Sequence, residues 1–147
     1  MMRTEIAIMS QLQEPPAALA RGDSTIRVLL ADRNAHYRET LRRVLERYPE
    51  CTVVGEATAL TEAVAIARAK SPDLVLLDFD VVAREKVGLV RKIEEEFPHV
   101  QVVVLLSDYS RDYREAVQVR WGYLCVAKDR VEEHLAWIIS DVKPTIV

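Results

Sequence analysis

With 147 residues the chain has room for one domain with a core of its own. Half of the residues are apolar and 29% are charged, which excludes a disordered segment too polar to bury a core. A net charge of −3 argues against a grip on a nucleic-acid backbone, which calls for a basic surface.

Residues 1–25 read as an N-terminal extension and linker. A short stretch of helical character, residues 4–13, runs into Pro15-Pro16, and Arg21-Gly22-Asp23-Ser24 makes a turn-rich joint. The apolar patch at residues 6–9 does not make a secretory leader. Glu5 stands where positive charge belongs, and Ser10, Gln11, Gln13 and Glu14 interrupt the run. No stretch approaches the roughly 18 apolar residues of a membrane span. Cys51 and Cys125 lie far apart and form neither a disulfide framework nor a zinc motif, as expected in a reducing, cytoplasmic compartment.

Residues 26–142 form the expected domain, and residues 143–147 a short tail. Within the domain, apolar β-rich runs alternate with amphipathic segments five times. Strands are predicted over 27–31, 52–56, 74–77, 102–106 and 123–126. The first, third and fourth are continuously apolar, as strands covered on both faces of a parallel sheet read. Between them, Tyr37, Leu41, Val44, Leu45 and Tyr48 recur at helical spacing. Ala63, Ile66 and Ala67 make a narrower stripe, and Val90, Ile93 and Phe97 a third, weakened by Glu94. A fourth runs through Tyr113, Ala116, Val117 and Arg120, and a fifth through Leu135, Ile138, Ile139 and Val142. Pro49, Pro72 and Pro98 fall where helices should stop. Five such units with right-handed crossovers predict an α/β fold: a flavodoxin-like, doubly wound parallel sheet of order 2-1-3-4-5 with helices on both faces. In this architecture ligands bind at the carboxyl ends of the central strands.

The residues at those ends carry charge. The first strand runs into Asp32-Arg33, the third into Asp78-Phe79-Asp80, and the fifth into Lys128-Asp129. A single charged residue at a strand end is ordinary, because strands end at water. Asp32, Asp78 and Lys128 each follow an unbroken apolar run and converge on one rim, which points to a site.

Residues 27–48 resemble the first strand and helix of a bacterial response-regulator receiver domain, and Pro72-Asp73-Leu74-Val75-Leu76-Leu77-Asp78 resembles its phospho-acceptor strand. The Lys128-Asp129 ending resembles the branch usually fused to a helix-turn-helix domain. The resemblance implies that Asp78 accepts the phosphoryl group, that Lys128 contacts it, and that Asp32 is one of two acids supporting magnesium; Asp80, beside them at the rim, is a further candidate metal ligand. Those residue types suit the chemistry: a carboxylate attacks in line, and cations neutralise the transferred oxygens.

Several positions depart from the family pattern. Arg33 stands where the family places a second acid and metal ligand. At ~5 Å and an effective dielectric of about 20, a divalent ion and a guanidinium repel by roughly 6–7 kcal/mol. Two arrangements are open: Arg33 partly substitutes for magnesium by pairing with Asp78 or Asp32, or it points outward and the three acids bind metal weakly. The switch positions differ too. Leu106 stands at the hydroxyl position with Ser107 next to it, and Cys125 replaces an aromatic. The loop after Asp78 reads Val81-Val82 and Glu85-Lys86 and lacks the turn residues expected there.

The expectation is an atypical receiver in signal transduction that works through protein contact, with aspartyl phosphorylation weakened or absent and magnesium weak or absent. The alternative is a competent phosphorelay acceptor. A nucleotide binder lacks a glycine-rich phosphate cradle. A hydrolase lacks G-x-S-x-G, and His36, His99 and His134 lie outside the rim, so no enzyme is expected. The chain ends five residues after Val142, so no output domain is expected on it. Expected partners are a histidine kinase, a downstream effector, or a second copy meeting the fourth and fifth predicted helices. Trp121, Tyr123 and Trp137 are the candidate anchors, and neither nucleic acid nor membrane is expected to be touched directly.

Overall fold

The computed structural model describes residues 25–85 and 87–142; the predicted extension, the tail and Lys86 lie outside them. Five parallel strands pair in the order β2-β1-β3-β4-β5, as the alternating pattern predicts. They are β1 (Ile26–Ala31), β2 (Cys51–Ala57), β3 (Leu74–Asp78), β4 (Gln101–Leu106) and β5 (Leu124–Ala127). The fifth strand opens at Leu124, one residue later than predicted, because Tyr123 is spent on a turn: its N–H donates to the Val117 carbonyl at 3.0 Å.

The uninterrupted apolar runs of β1, β3 and β4 are explained by two separate cores. Leu29, Val75, Leu77, Val104 and Leu106 face one side, and Val28, Leu30, Leu76, Val103 and Leu105 face the other. Helix α1 (Ala35–Leu45) covers the second side with Leu41, Val44 and Leu45, beside α6 (Val131–Asp141) with Leu135, Ile138 and Ile139. The first side is covered by α2 (Leu60–Lys70), α3 (Phe79–Glu85), α4 (Gly88–Glu96) and α5 (Arg111–Glu115). Helix α5 continues as a π-helix over Ala116–Trp121 and closes at Gly122, whose left-handed φ of 78° few side chains tolerate. Helix α2 ends on Ser71 in the left-handed region, φ 49°, immediately before Pro72.

Helix α3 was not foreseen. Without turn residues after Asp78, β3 runs straight into a helix that buries Val81 and Val82 in the core. The fourth and fifth predicted helices are therefore α5 and α6. In α5 the predicted stripe is mostly surface, and Val117 alone of its four members is buried. At the outer strand β2, Gly55 lies under α2, where a Cβ would meet Ile66 Cγ2 at 2.5 Å.

Gly55→Ala is expected to destabilise the fold by about 1–3 kcal/mol through overpacking, with no change in the denaturant m-value. Chemical denaturation checks this, and adding Ile66→Ala should recover part of the loss.

Candidate functional site

The rim at the carboxyl ends of β1, β3 and β5 gathers three of the four side chains expected there. Asp32 and Asp78 are 3% and 6% exposed, at the ends of apolar strands that carry them to the edge of the core. Lys128 begins a short 3₁₀ turn, Lys128–Arg130, directly after β5. Its ammonium lies 2.6 Å from Asp32 Oδ2 and 2.8 Å from Asp78 Oδ1. One cation thus holds two buried carboxylates.

The loop after β1 is fixed locally. Asp32 Oδ1 accepts the Asn34 N–H at 2.8 Å, and Asn34 Oδ1 caps α1 by accepting the Tyr37 N–H at 3.1 Å. Arg38 donates to the Asp32 carbonyl at 2.6 Å and to Glu56 Oε1 at 2.8 Å, tying the loop to β2. Tyr37 is a site residue that helical spacing presented only as a packing position. Its hydroxyl donates to the Lys128 carbonyl at 2.9 Å, and Lys128 Nζ lies 4.6 Å from the centre of its ring. Its place in the first turn of α1, five residues beyond Asp32, was the available signal. Burial, reinforced by the charges of Asp32, Asp129 and Asp78, pushes the Tyr37 phenol well above its usual range, so it remains a donor.

Burial also raises the Asp78 pKa. Lys128 opposes the shift by its hydrogen bond and charge, while Asp32 and Asp80 add to it. For Lys128 burial pulls downward, but the hydrogen bonds and charges of Asp32 and Asp78 outweigh it and hold the ammonium above the usual lysine value.

Arg33 is not brought to this cluster. It is exposed, and among the described residues its guanidinium pairs with neither Asp32 nor Asp78. The pairing that charge bookkeeping suggested is therefore corrected: Lys128, at the same rim, already occupies both carboxylates. Asp80 is exposed on α3, lining a cavity of about 180 Å³ with Asp78, Phe79, Leu106, Ser107, Asp108 and Tyr113. Leu106 is buried in the core, whereas Ser107 is exposed on this cavity wall beside Asp78. Cys125 is buried and accepts from Gln118 Nε2 at 3.3 Å; burial raises its thiol pKa despite that bond. Tyr123, on the same side of the sheet, donates its hydroxyl to Glu94 Oε1 at 2.9 Å.

The implied magnesium would need several oxygen ligands in a strict octahedron. Asp32 and Asp78 each give an oxygen to Lys128, the other Asp32 oxygen takes the Asn34 N–H, and a guanidinium residue replaces the second acid. Among the described residues no group of three or more acids, histidines or cysteines could hold a metal ion. This donor set does not fit the ion.

Lys128→Met should destabilise the protein by about 3 kcal/mol at neutral pH, because two buried carboxylates lose their cation. The loss should shrink on acidification, since Asp78, with its raised pKa, is the group that protonates early. A group with a raised folded pKa supports folding fully below its unfolded value, and that support is lost as pH rises through the folded value. Asp78→Asn, which cannot ionise, should therefore gain stability relative to wild type as pH rises above the usual carboxylate range. Thermal unfolding across pH checks both.

Residues 28–139 match the response regulator receiver domain family. Over 82 residues the chain is 34% identical to the transcriptional regulatory protein LiaR of Bacillus subtilis (strain 168), covering 56% of this chain and 39% of LiaR. Over 91 residues it is 37% identical to protein-glutamate methylesterase/protein-glutamine glutaminase 2 of Anaeromyxobacter dehalogenans (strain 2CP-C), covering 62% of this chain and 26% of that protein. The chain thus spans well under half the length of these curated relatives. Among solved structures, a LuxR-family two-component response regulator from Aurantimonas sp. SI85-9A1 aligns with a TM-score of 0.68 and 25% identity, covering 80% of this chain and 84% of that one. A parallel sheet of order 2-1-3-4-5, a lysine bridging two rim carboxylates and this match over most of the domain agree: the chain belongs to the response regulator receiver domain family.

Proposed function

We propose that this receiver transmits signals through protein–protein contact, with phosphorylation of Asp78 weakened or absent. The observation that carries the reading is the Lys128 bridge, at 2.6 and 2.8 Å to Asp32 and Asp78, with Arg33 standing outside it. In-line transfer places growing charge on three phosphoryl oxygens, and fixed cations must meet it. Here the cation at hand is Lys128, already neutralised by two carboxylates, and the oxygen set for a divalent ion is short.

The same reading assigns the domain to the cytoplasm and to signalling rather than catalysis, with no nucleic-acid or membrane contact of its own. Among the described residues no helix is long and apolar enough to cross a membrane. A histidine kinase, a downstream effector or a second copy is the partner class. Surface aromatics support this: Trp137 on α6 is 54% exposed, and Tyr109 and Tyr113 flank the start of α5 with 42% and 40% exposure. Trp121 and Tyr123 do not serve as anchors, the first being half-buried against Phe79 and the second buried.

One observation favours the second reading, a competent acceptor. The cavity of about 180 Å³ opens onto Asp78, with the Ser107 hydroxyl residue on its wall. A phosphoryl donor has a route in.

Incubation with acetyl phosphate and magnesium, followed by intact-mass measurement, separates the two. The expected result is little or no addition to wild type and a gain in Arg33→Asp. Rapid stoichiometric addition of one phosphoryl group to wild type, abolished in Asp78→Asn, would establish the competent acceptor instead.

A further inference from the structure

Arg33 lines a second cavity, of about 410 Å³, with Thr58, Ala59, Val81 and Arg84. It shares no lining residue with the cavity at Asp78. The wall carries two guanidiniums and no carboxylate, in a chain whose net charge is −3. Several arginines of the domain are committed to acids, Arg38 and Arg42 to Glu56, Arg68 to Glu96 and Arg47 to Glu132, while Arg91 and Arg114 bond backbone carbonyls. Arg33 and Arg84 have no ion pair or hydrogen bond among the described residues, and both are exposed to this space.

The backbone adds to the positive field. Ala59 opens the 11-residue helix α2 in an extended conformation with no side-chain cap, and it lines the cavity itself. The positive end of the α2 dipole therefore lies at the same wall. The carboxylate of Glu62, in the first turn, is turned back onto Thr58, accepting its N–H at 2.8 Å and its hydroxyl at 3.3 Å; it does not line the cavity but offsets part of the dipole there.

We propose that this cavity binds a phosphate dianion, free or carried by a small phosphomonoester, clamped between Arg33 and Arg84. Charge decides the class. Two guanidiniums match the −1.5 to −2 that a phosphomonoester carries at about pH 7, whereas a carboxylate would leave one cation unanswered. Guanidinium chemistry suits this class, because the planar fork meets phosphate oxygens in pairs. The volume lies within the usual range of small-molecule sites. Arg33, which spoils the family's metal site, gains a role of its own: ligand recognition on the face formed by the β1 and β2 loops and α3.

Isothermal titration of the full chain at fixed ionic strength, with inorganic phosphate and with glycerol 3-phosphate, tests the site. Saturable binding is expected, weakened on the order of tenfold or more in both Arg33→Gln and Arg84→Gln. Arg120→Gln, on the π-helix, and Asp78→Asn should bind as wild type does, and circular dichroism should be the same for all. Tighter binding of the ester supports an organic ligand, and equal binding supports free phosphate; both support the site. No saturable binding to wild type would overturn the proposal. So would unchanged affinity in the two arginine variants, or binding lost in Asp78→Asn.

Discussion

Two carboxylates in a largely buried rim share one ammonium, and the domain is organised around that fact. Asp32 and Asp78 arrive there because β1 and β3 are apolar to their last residue and the sheet carries them to its edge. Unpaired, each would be expensive to ionise out of water. Lys128 offsets that cost for both, and Tyr37 steadies Lys128 from below through its ring and its hydroxyl. The cluster is a structural unit in which one ammonium answers two carboxylates and leaves a charge of about −1.

Arg33 shows how the same loop can serve two sites. Its neighbour Asp32 faces inward to Lys128, and the backbone turn held by Asn34 sends the next side chain the other way. The family position is thus kept while its chemistry is moved, from an oxygen ligand at the rim to a guanidinium at a separate cavity with Arg84. Arg38 is engaged by Glu56 and the Asp32 carbonyl, so it does not compete for that cavity.

The sheet and the identity of the rim residues were legible because both rest on long-range pattern. Uninterrupted apolar runs fix which strands are central, and the charged residue ending each run fixes what stands at the edge. Direction was not legible. Whether Arg33 points at Asp78 or away depends on one loop turn, and charge counting cannot choose between them. Helix α3 is not legible because the segment after Asp78 lacks turn residues and is too short to show a period, although Val81 and Val82 are both fully buried. Tyr37 reads as a packing residue by period and Tyr123 as a candidate anchor; each packs, and each also aims a hydroxyl at a distant partner, Lys128 or Glu94, that no local window contains. Asp73 reads in the sequence only as part of the motif that leads into the third strand. It is buried at the opposite end of the sheet, where its Oδ2 accepts the Arg27 N–H at 2.9 Å and so ties β3 to β1.

Phe79 follows Asp78 directly and stacks on Trp121 with centroids 5.1 Å apart, while Tyr113 meets it edge-on at the same separation. Each such ring contact is worth roughly 0.5–1.5 kcal/mol beyond its buried area. The peptide after Asp78 is therefore tied to both ends of one outer helix, through Tyr113 near its start and Trp121 at its finish. Sliding that helix along the sheet would break both ring contacts. The rim and the outer surface are thus linked through three rings in contact, one pair stacked and the other edge-on.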